Sequence, residues 1–277
     1  MLLGFNGATT MKATLEGDIA AASSAGFKAL EIWAGKMNHY LQSHTPDDLR
    51  ALFAANGIQP VSINSIEHIT FKGDGFQEIR EQCRRYSQIA EAIGCDKIVV
   101  VPSPTPPGAT WDDIKRESIR VLGDLAQIAA AHNVKLAYEF LGQADCSVST
   151  LAQCWEIVRE ANLPNVGLVL DTFHFYAGGS TLDSILQVAP DKIYIFHIND
   201  AEDKPRAALT DAHRLLPGEG VIPLLDILNN LRIIGFDGLC SIELFRPAYW
   251  KRPAHELAAD ARAKTVALLT RAGFRVQ

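Results

Sequence analysis

The sequence predicts an α/β protein of the (β/α)₈ barrel class, and three observations lead to that prediction. Eight short apolar runs alternate with eight longer stretches of helical character along the 277 residues. Most of these runs lack polar alternation, as expected of parallel strands that are covered on both faces. The first run is followed by Asn6-Gly7-Ala8-Thr9-Thr10 rather than by GxGxxG, which disfavours the alternative of an open doubly wound sheet. We therefore expect a single barrel domain over residues 1–277.

The predicted strands are short and rich in Val, Ile, Phe and Tyr, which favour β structure. They cover residues 2–6, 29–33, 60–64, 97–102, 135–140, 166–171, 192–200 and 239–245. The helices between them are bounded by local signals, because Thr45 and Thr110 are suitable N-caps and Gly94 is a suitable helix end. The predicted helices cover residues 15–25, 45–55, 75–93, 110–131, 149–160, 181–188, 223–234 and 253–272.

Composition and charge narrow the functional classes. Hydrophobic residues make up 48% of the chain, which disfavours disorder, and no apolar run is long enough to cross a membrane. The net charge of −6 and the lack of a Lys/Arg cluster predict that nucleic acid is not a partner. The N-terminal residues do not resemble a signal peptide, and the five scattered cysteines include no CxxC pair, so we expect a reduced, cytoplasmic protein.

The residues that end the predicted strands indicate a metal site. In a (β/α)₈ barrel the C-terminal ends of the strands surround one axis and form the active site. Strands five to eight end in Glu139, Asp171, His197 and Glu243. Any one of these could be a helix cap or a hydrogen-bonded core residue, but three carboxylates at one mouth would repel each other without a cation. We therefore predict one divalent cation, with Mn²⁺ favoured by the oxygen-rich set and Zn²⁺, Co²⁺ or Mg²⁺ as alternatives.

Further residues at the same end of the barrel are candidates for binding the substrate. They are His174, Asn6, Trp33, Asn64, Arg214 and Arg246. Core packing would explain Trp33 nearly as well, and the two arginines are equally consistent with structural ion pairs. The turn Pro217–Gly220 is interpreted as a plain turn rather than a phosphate-binding nest. No role is assigned to the loop residues His39, His44, Glu67 and His68.

The order Glu139, Asp171-x-x-His174, His197 and Glu243 resembles the xylose-isomerase-like barrel family of sugar isomerases and epimerases. The resemblance extends over essentially the whole chain. Within that family, several segments resemble the inosose (2-keto-myo-inositol) isomerases of inositol catabolism. These segments are FNGATT (5–10), YEFLG (138–142), NVGLVLDTFHF (165–175), LPGEG (216–220) and SIELFRP (241–247). Two positions depart from that pattern, since Gly7 replaces an acidic residue and Tyr176 replaces a second histidine.

The site and the resemblance together imply a metal-dependent isomerase that acts on a small cyclic polyol ketone or a ketose. Proton transfer through an enediolate would be carried out by Glu139 and Glu243. Ketose 3-epimerase and hydroxypyruvate isomerase are alternatives on the same barrel, and dehydroshikimate dehydratase is less consistent with the sequence. An endonuclease IV-type nuclease would need more His ligands and a basic groove, and a non-catalytic barrel would be expected to lack a ligand. A homo-oligomer is compatible with the sequence.

Overall fold

The computed structural model describes residues 1–277, and eight parallel strands close into a barrel at its centre. The barrel strands are β1 (Leu2–Asn6), β2 (Ala29–Trp33), β3 (Gln59–Ile66), β4 (Lys97–Val100), β5 (Lys135–Glu139), β6 (Val166–Asp171), β7 (Ile193–Ile198) and β10 (Leu239–Ile242). They follow one another around the barrel in chain order, and β10 closes it against β1. Two further strands, β8 (Asp200–Ala201) and β9 (Arg214–Leu215), form a short antiparallel ribbon beyond β7. The predicted fold class is confirmed.

The helices surround the barrel. They are α1 (Leu15–Ala25), α2 (Ala34–Tyr40), α3 (Pro46–Ala55), α4 (Phe76–Ile93), α5 (Trp111–Ala130), α6 (Leu151–Ala161), α7 (Thr172–Ala177), α8 (Leu182–Ile185), α9 (Leu224–Ile233) and α10 (Ala254–Arg271). Thr45 and Thr110 form capping boxes, and Gly94 ends α4 with a φ of 77°. The sequence did not predict α2 and α7, which lie in the loops after β2 and β6, and α8 is shorter than expected.

The alternation of side chains along the strands places the polar residues inside the barrel. Successive residues of a strand point to opposite faces. A small apolar cluster that includes Ala137, Val169 and Ile195 fills the interior. Residues two positions further along these strands share the same face and lie nearer the C-terminal end. Glu139, Asp171 and His197 occupy those positions, so their side chains point towards the barrel axis.

The outside of the barrel is apolar and is covered by the helices. One continuous core joins the outward-facing strand residues to the inner faces of the helices, with Phe5, Tyr138 and Phe196 among its largest members. None of the helices has the length and hydropathy that crossing a membrane would require. The five cysteines are buried in this structure and form no disulfide.

Candidate metal centre

The structure brings Glu139, Asp171, His197 and Glu243 together at the C-terminal end of the barrel. One ligand atom from each residue lies within 4.8 Å of the others, and all four residues are buried. The Nδ1 atom of His197 lies 2.9 Å from Glu139 Oε1, 3.4 Å from Glu243 Oε2 and 3.7 Å from Asp171 Oδ2. The strand register contributes to this, because Asp171 pairs directly with His197. Three carboxylates and one imidazole nitrogen form a donor set that suits a divalent cation.

Asp171 is oriented by the backbone as well as by side chains. It is the N-cap of α7, and its Oδ1 atom accepts the backbone N–H of His174 at 2.8 Å. Its Oδ2 atom accepts hydrogen bonds from Nδ2 of Asn199 at 2.9 Å and from Nη1 of Arg214 at 2.7 Å. The direction of this carboxylate is therefore set from three sides.

Arg214 lies fully buried beside the carboxylates and offsets part of their charge. Its Nη1 atom also donates to Glu243 Oε2 at 3.0 Å. Nη2 lies 3.0 Å from His174 Nε2 and donates to Asp211 Oδ1 at 2.9 Å, and Nε donates to the same oxygen at 3.1 Å. All five N–H bonds of a guanidinium therefore have protein acceptors. Arg214 was considered both as a substrate-binding residue and as part of a structural ion pair. The structure shows the ion pair, and the side chain also lines the cavity described below.

Burial and charge shift the pKa values of these residues in different directions. Burial raises the pKa of Glu243 to about 8, and the Glu139 carboxylate adds to this effect against the opposing charges of His197 and Arg214. Burial also acts to raise the pKa of Asp171, but Arg214 and the histidines lower it to about 2. For His197 burial acts to lower the pKa, and the surrounding carboxylates outweigh it and raise the pKa well above its usual value. Binding of a cation would therefore displace protons from Glu243 and His197.

Glu31 holds the second nitrogen of His197. The Nε2 atom of His197 lies 2.8 Å from Glu31 Oε1, so that Nε2 donates its proton and Nδ1 faces the other carboxylates. Asn6 and Ser62 donate hydrogen bonds to Glu31 in turn. Burial acts to raise the pKa of Glu31, but His197 lowers it. A carboxylate behind a metal-binding histidine fixes its tautomer and ring orientation. The sequence shows Glu31 at the end of a strand, but its partner across the barrel could not be predicted.

A cavity of about 260 Å³ opens at this end of the barrel, and Glu139 and Glu243 are part of its lining. Trp33, Asn64 and His174 also line it, together with apolar groups such as Phe245. His174 is neutral in character, because burial lowers its pKa. Its Nε2 atom lies against Arg214, and its buried Nδ1 atom has no hydrogen-bond partner. His174 therefore retains one free N–H donor.

Two of the residues predicted to bind substrate, Asn6 and Arg246, lie beside the cavity in this structure and are bonded to other parts of the protein. Neither residue lines the cavity. Asn6 is fully buried, and its Nδ2 atom donates to Glu31 and, at 3.0 Å, to Glu243. Arg246 forms an ion pair with Glu202 at 2.6 Å. Nδ2 of Asn6 and Nη1 of Arg246 thus donate to carboxylates of the protein, and neither residue is part of the cavity lining.

The loop residues without an assigned role divide between two cavities. Glu67 and His68 line the cavity beside the carboxylates, whereas His39 and His44 line a second cavity of about 340 Å³. Trp33 borders both cavities. Two residues that the sequence did not single out, Gln143 and Asp211, also line the first cavity and are joined by a hydrogen bond of 2.9 Å.

The turn Pro217–Gly220 is not a free anion site. The backbone N–H groups of Gly218 and Gly220 donate to Asp200 Oδ2 at 3.0 and 2.9 Å, and that of Ile222 donates to Asp200 Oδ1 at 2.9 Å. A carboxylate of the protein thus occupies the position that an anion would take. The plain-turn interpretation of the sequence agrees with this arrangement.

Gly7 and Tyr176, the two unusual positions, leave the four converging side chains unchanged. A Cβ atom at position 7 would lie 2.9 Å from Asp18 Oδ2 and 3.2 Å from Trp33 Cβ, so glycine permits the close approach of both side chains. Tyr176 lies outside the cavity lining, with the guanidinium of Arg206 over its ring at 4.7 Å.

Comparison with known proteins identifies relatives over nearly the whole chain. A family model described as a xylose isomerase-like TIM barrel matches residues 19–267. The inosose isomerase of Bacillus subtilis (strain 168) is 38% identical over 274 residues, which cover 98% of this chain and 99% of that protein. The inosose isomerase of Bacillus velezensis is 36% identical over 274 residues and 98% of both chains. A crystal structure of the IolI protein with a bound zinc atom aligns with a TM-score of 0.96 at 37% identity, covering 99% of this chain and 100% of that chain.

Proposed function

Because this chain belongs to the xylose isomerase-like TIM-barrel family, we propose that it is a metal-dependent isomerase that interconverts inososes, the ketones of inositol. The observation that carries the proposal is the convergence of Glu139, Asp171, His197 and Glu243 beside a cavity, in a chain similar over 98% of its length to inosose isomerases. The bacterial relatives support a role in inositol catabolism.

We propose these four side chains as the ligands of one divalent cation. The fit is supported by the position of His197, whose Nε2–H is held by Glu31 while Nδ1 faces the carboxylate oxygens, so that loss of the Nδ1 proton would free a lone pair for a cation among them. The oxygen-rich set favours Mn²⁺, and the zinc atom in the IolI structure supports Zn²⁺ as an alternative. A bound cation would supply a Lewis acid that polarises a ketone and offsets the negative charge that develops on its oxygens.

We assign the proton transfer to Glu139 and Glu243, since both carboxyl groups line the cavity. Removal of the proton from the carbon next to the ketone converts the substrate into an enediolate. Return of a proton to the former carbonyl carbon, together with loss of the neighbouring hydroxyl proton and protonation of the former carbonyl oxygen, then moves the ketone by one ring position. Cation binding would leave both carboxyl groups deprotonated, so that each could accept a proton from the substrate and return it.

Four neighbouring residues are assigned supporting roles. His174 lines the cavity and its buried Nδ1 atom has no partner in the protein, and we propose that it donates to a substrate oxygen. The Nδ2 atom of Asn64 donates to Glu243 Oε1 at 2.7 Å, which holds this carboxylate in one orientation. Trp33 and Phe245, whose ring centroids are 5.4 Å apart, would form an apolar wall against the C–H bonds of a ring.

We propose a small cyclic polyol ketone as the partner, without nucleic acid. The net charge of −6 supports this, and the five free cysteines support the reducing conditions of a cytoplasm. The formation of a homo-oligomer stays a prediction.

The proposal is tested by stripping the protein of metal, reloading it with Mn²⁺ or Zn²⁺ and offering a panel of substrates. The panel contains 2-keto-myo-inositol, D-fructose, D-psicose, hydroxypyruvate and 3-dehydroshikimate, and NMR identifies the products. We expect isomerisation of the inosose with the highest kcat/KM and no conversion by the stripped protein. Selective turnover of a ketose would refute the substrate assignment, and turnover that is independent of metal would refute the metal assignment.

A further inference from the structure

Most polar groups in the cavity lining are already bonded to the protein, but those of three residues at the end of β3 and in the loop after it are not. Asn64 donates to Glu243, Gln143 donates to Asp211, and Arg214 has acceptors for all its N–H groups. In contrast, the side chains of Ser65, Glu67 and His68 line the cavity without a hydrogen bond to the protein, and Glu67 Oε2 lies 4.0 Å from His68 Nε2. We call these three residues the distal wall.

The backbone on both sides of Glu67 and His68 is hydrogen-bonded to Val101, the residue that follows β4. Val101 N donates to Ile66 O and Ile69 N donates to Val101 O, both at 3.0 Å, so the chain is fixed on each side of Glu67 and His68. His68 has a φ of 55°, in the left-handed region that few non-glycine residues occupy. The side chains of Glu67 and His68 are 56% and 47% exposed, whereas the carboxylates of Glu139 and Glu243 are buried. Polar groups without a hydrogen-bond partner therefore lie towards the cavity mouth. Because the backbone that carries them is already hydrogen-bonded, binding of a ligand would not have to order it.

The shape of a cyclic substrate relates this wall to the buried carboxylates. A ring that reacts through two adjacent carbons at Glu139 and Glu243 must direct its opposite carbons, with their hydroxyl groups, towards the mouth. Each hydroxyl group is both a donor and an acceptor. Glu67 can accept, Ser65 can donate and accept, and each nitrogen of His68 can do one or the other according to its tautomer. The free groups of the wall therefore match the remote half of a polyol ring.

We propose that the distal wall determines specificity by binding the hydroxyl groups of a cyclic polyol that are remote from the reacting carbons. The inference rests on the proposed function, which gives the substrate its ring shape. It adds the residues that would select a polyhydroxylated ring over a ring that carries only the reacting pair of oxygens. Its energetic basis is that a hydrogen bond to a charged group contributes more than one between neutral groups, so Glu67 is expected to contribute the most.

The test compares two ligands by isothermal titration calorimetry on the Mn²⁺-loaded protein. Myo-inositol carries hydroxyl groups around the whole ring, and cis-1,2-cyclohexanediol carries only an adjacent pair. We expect the wild type to bind myo-inositol at least ~10-fold more tightly. Glu67→Ala should weaken myo-inositol binding ~10- to ~100-fold and His68→Gly ~3- to ~10-fold, with diol affinity within about twofold of wild type. Glycine is chosen at position 68 because it tolerates a positive φ.

The control is Lys72→Ala, an exposed residue further along the same loop that does not line this cavity, and it should change neither affinity. Equal affinity of the wild type for both ligands would overturn the inference. So would an unchanged preference in both variants, or an equal loss for both ligands, which would show an effect on the reacting end of the cavity. Turnover of inososes by the wild type is measured separately, and its absence would refute the proposed function instead.

Discussion

Replacement of Glu31 by glutamine tests whether a buried carboxylate behind His197 controls metal binding. The substitution keeps the size of the side chain but removes the negative charge that accepts His197 Nε2–H at 2.8 Å. Glu31 is 0% exposed, so solvent cannot replace that interaction. A hydrogen bond to a charged group contributes about 1.5–3 kcal/mol, which corresponds to about 10- to 150-fold in an equilibrium constant. Losses on changing such outer partners are typically 10- to 100-fold. We therefore expect Glu31→Gln to bind metal about 10- to 100-fold more weakly.

The assay is competition for Zn²⁺ or Mn²⁺ against a chelator of known affinity, with circular dichroism to establish that the variant is folded. Glu78→Gln is the matched control, because it removes the same charge from an exposed position on α4. Its metal affinity should equal that of the wild type within about twofold. A folded Glu31→Gln variant whose metal affinity is also within twofold of wild type would refute the proposed role of the His197–Glu31 pair.

Three further predictions concern the proposed ligands. Asp171→Ala removes a carboxylate that Arg214 and Asn199 hold in place, and metal analysis should find the cation lost; full occupancy would contradict the ligand assignment. Metal affinity should rise with pH, because the cation must displace the proton that Glu243 retains up to a pKa of about 8. Below that pH the metal affinity should fall about tenfold per pH unit for each proton displaced. Calorimetry in buffers of different ionisation enthalpy counts the displaced protons, and a metal affinity that is constant between about pH 6 and 8 would be inconsistent with this prediction. Glu243→Gln should lose at least ~100-fold in turnover of inosose, and turnover that survives unchanged in both this variant and Glu139→Gln would exclude the carboxylates as the acid and base.

The barrel and the convergence of four side chains could be predicted because both depend on local sequence features. Strand length and apolar composition located the strands, and the rule that strand ends share one mouth brought distant residues together. Glu139, Asp171, His197 and Glu243 needed only this rule. The short helices α2 and α7 were missed because they have only seven and six residues, lie inside βα loops and show no extended helical periodicity.

Partners across the barrel could not be predicted in this way. Glu31 on β2 meets His197 on β7 only because the barrel closes, and nothing in the neighbourhood of either residue indicates the pairing. The two arginines illustrate the same limit. Arg214 begins β9, whose pairing with Ala201 accompanies a fully buried guanidinium, whereas Arg246 follows β10 and meets Glu202. Their different roles depend on a two-residue ribbon that has no sequence signature.

The most direct test of inosose isomerisation follows the ketone itself. 2-Keto-myo-inositol labelled with ¹³C at the carbonyl carbon is incubated with the metal-loaded protein, and ¹³C NMR records the chemical shift of the label over time. We predict that the labelled carbon changes from a ketone to a secondary alcohol while an adjacent unlabelled carbon becomes the ketone, and that metal-stripped protein leaves the label unchanged. A label that remains a ketone in the presence of fully metal-loaded protein would contradict isomerisation of inosose at this site.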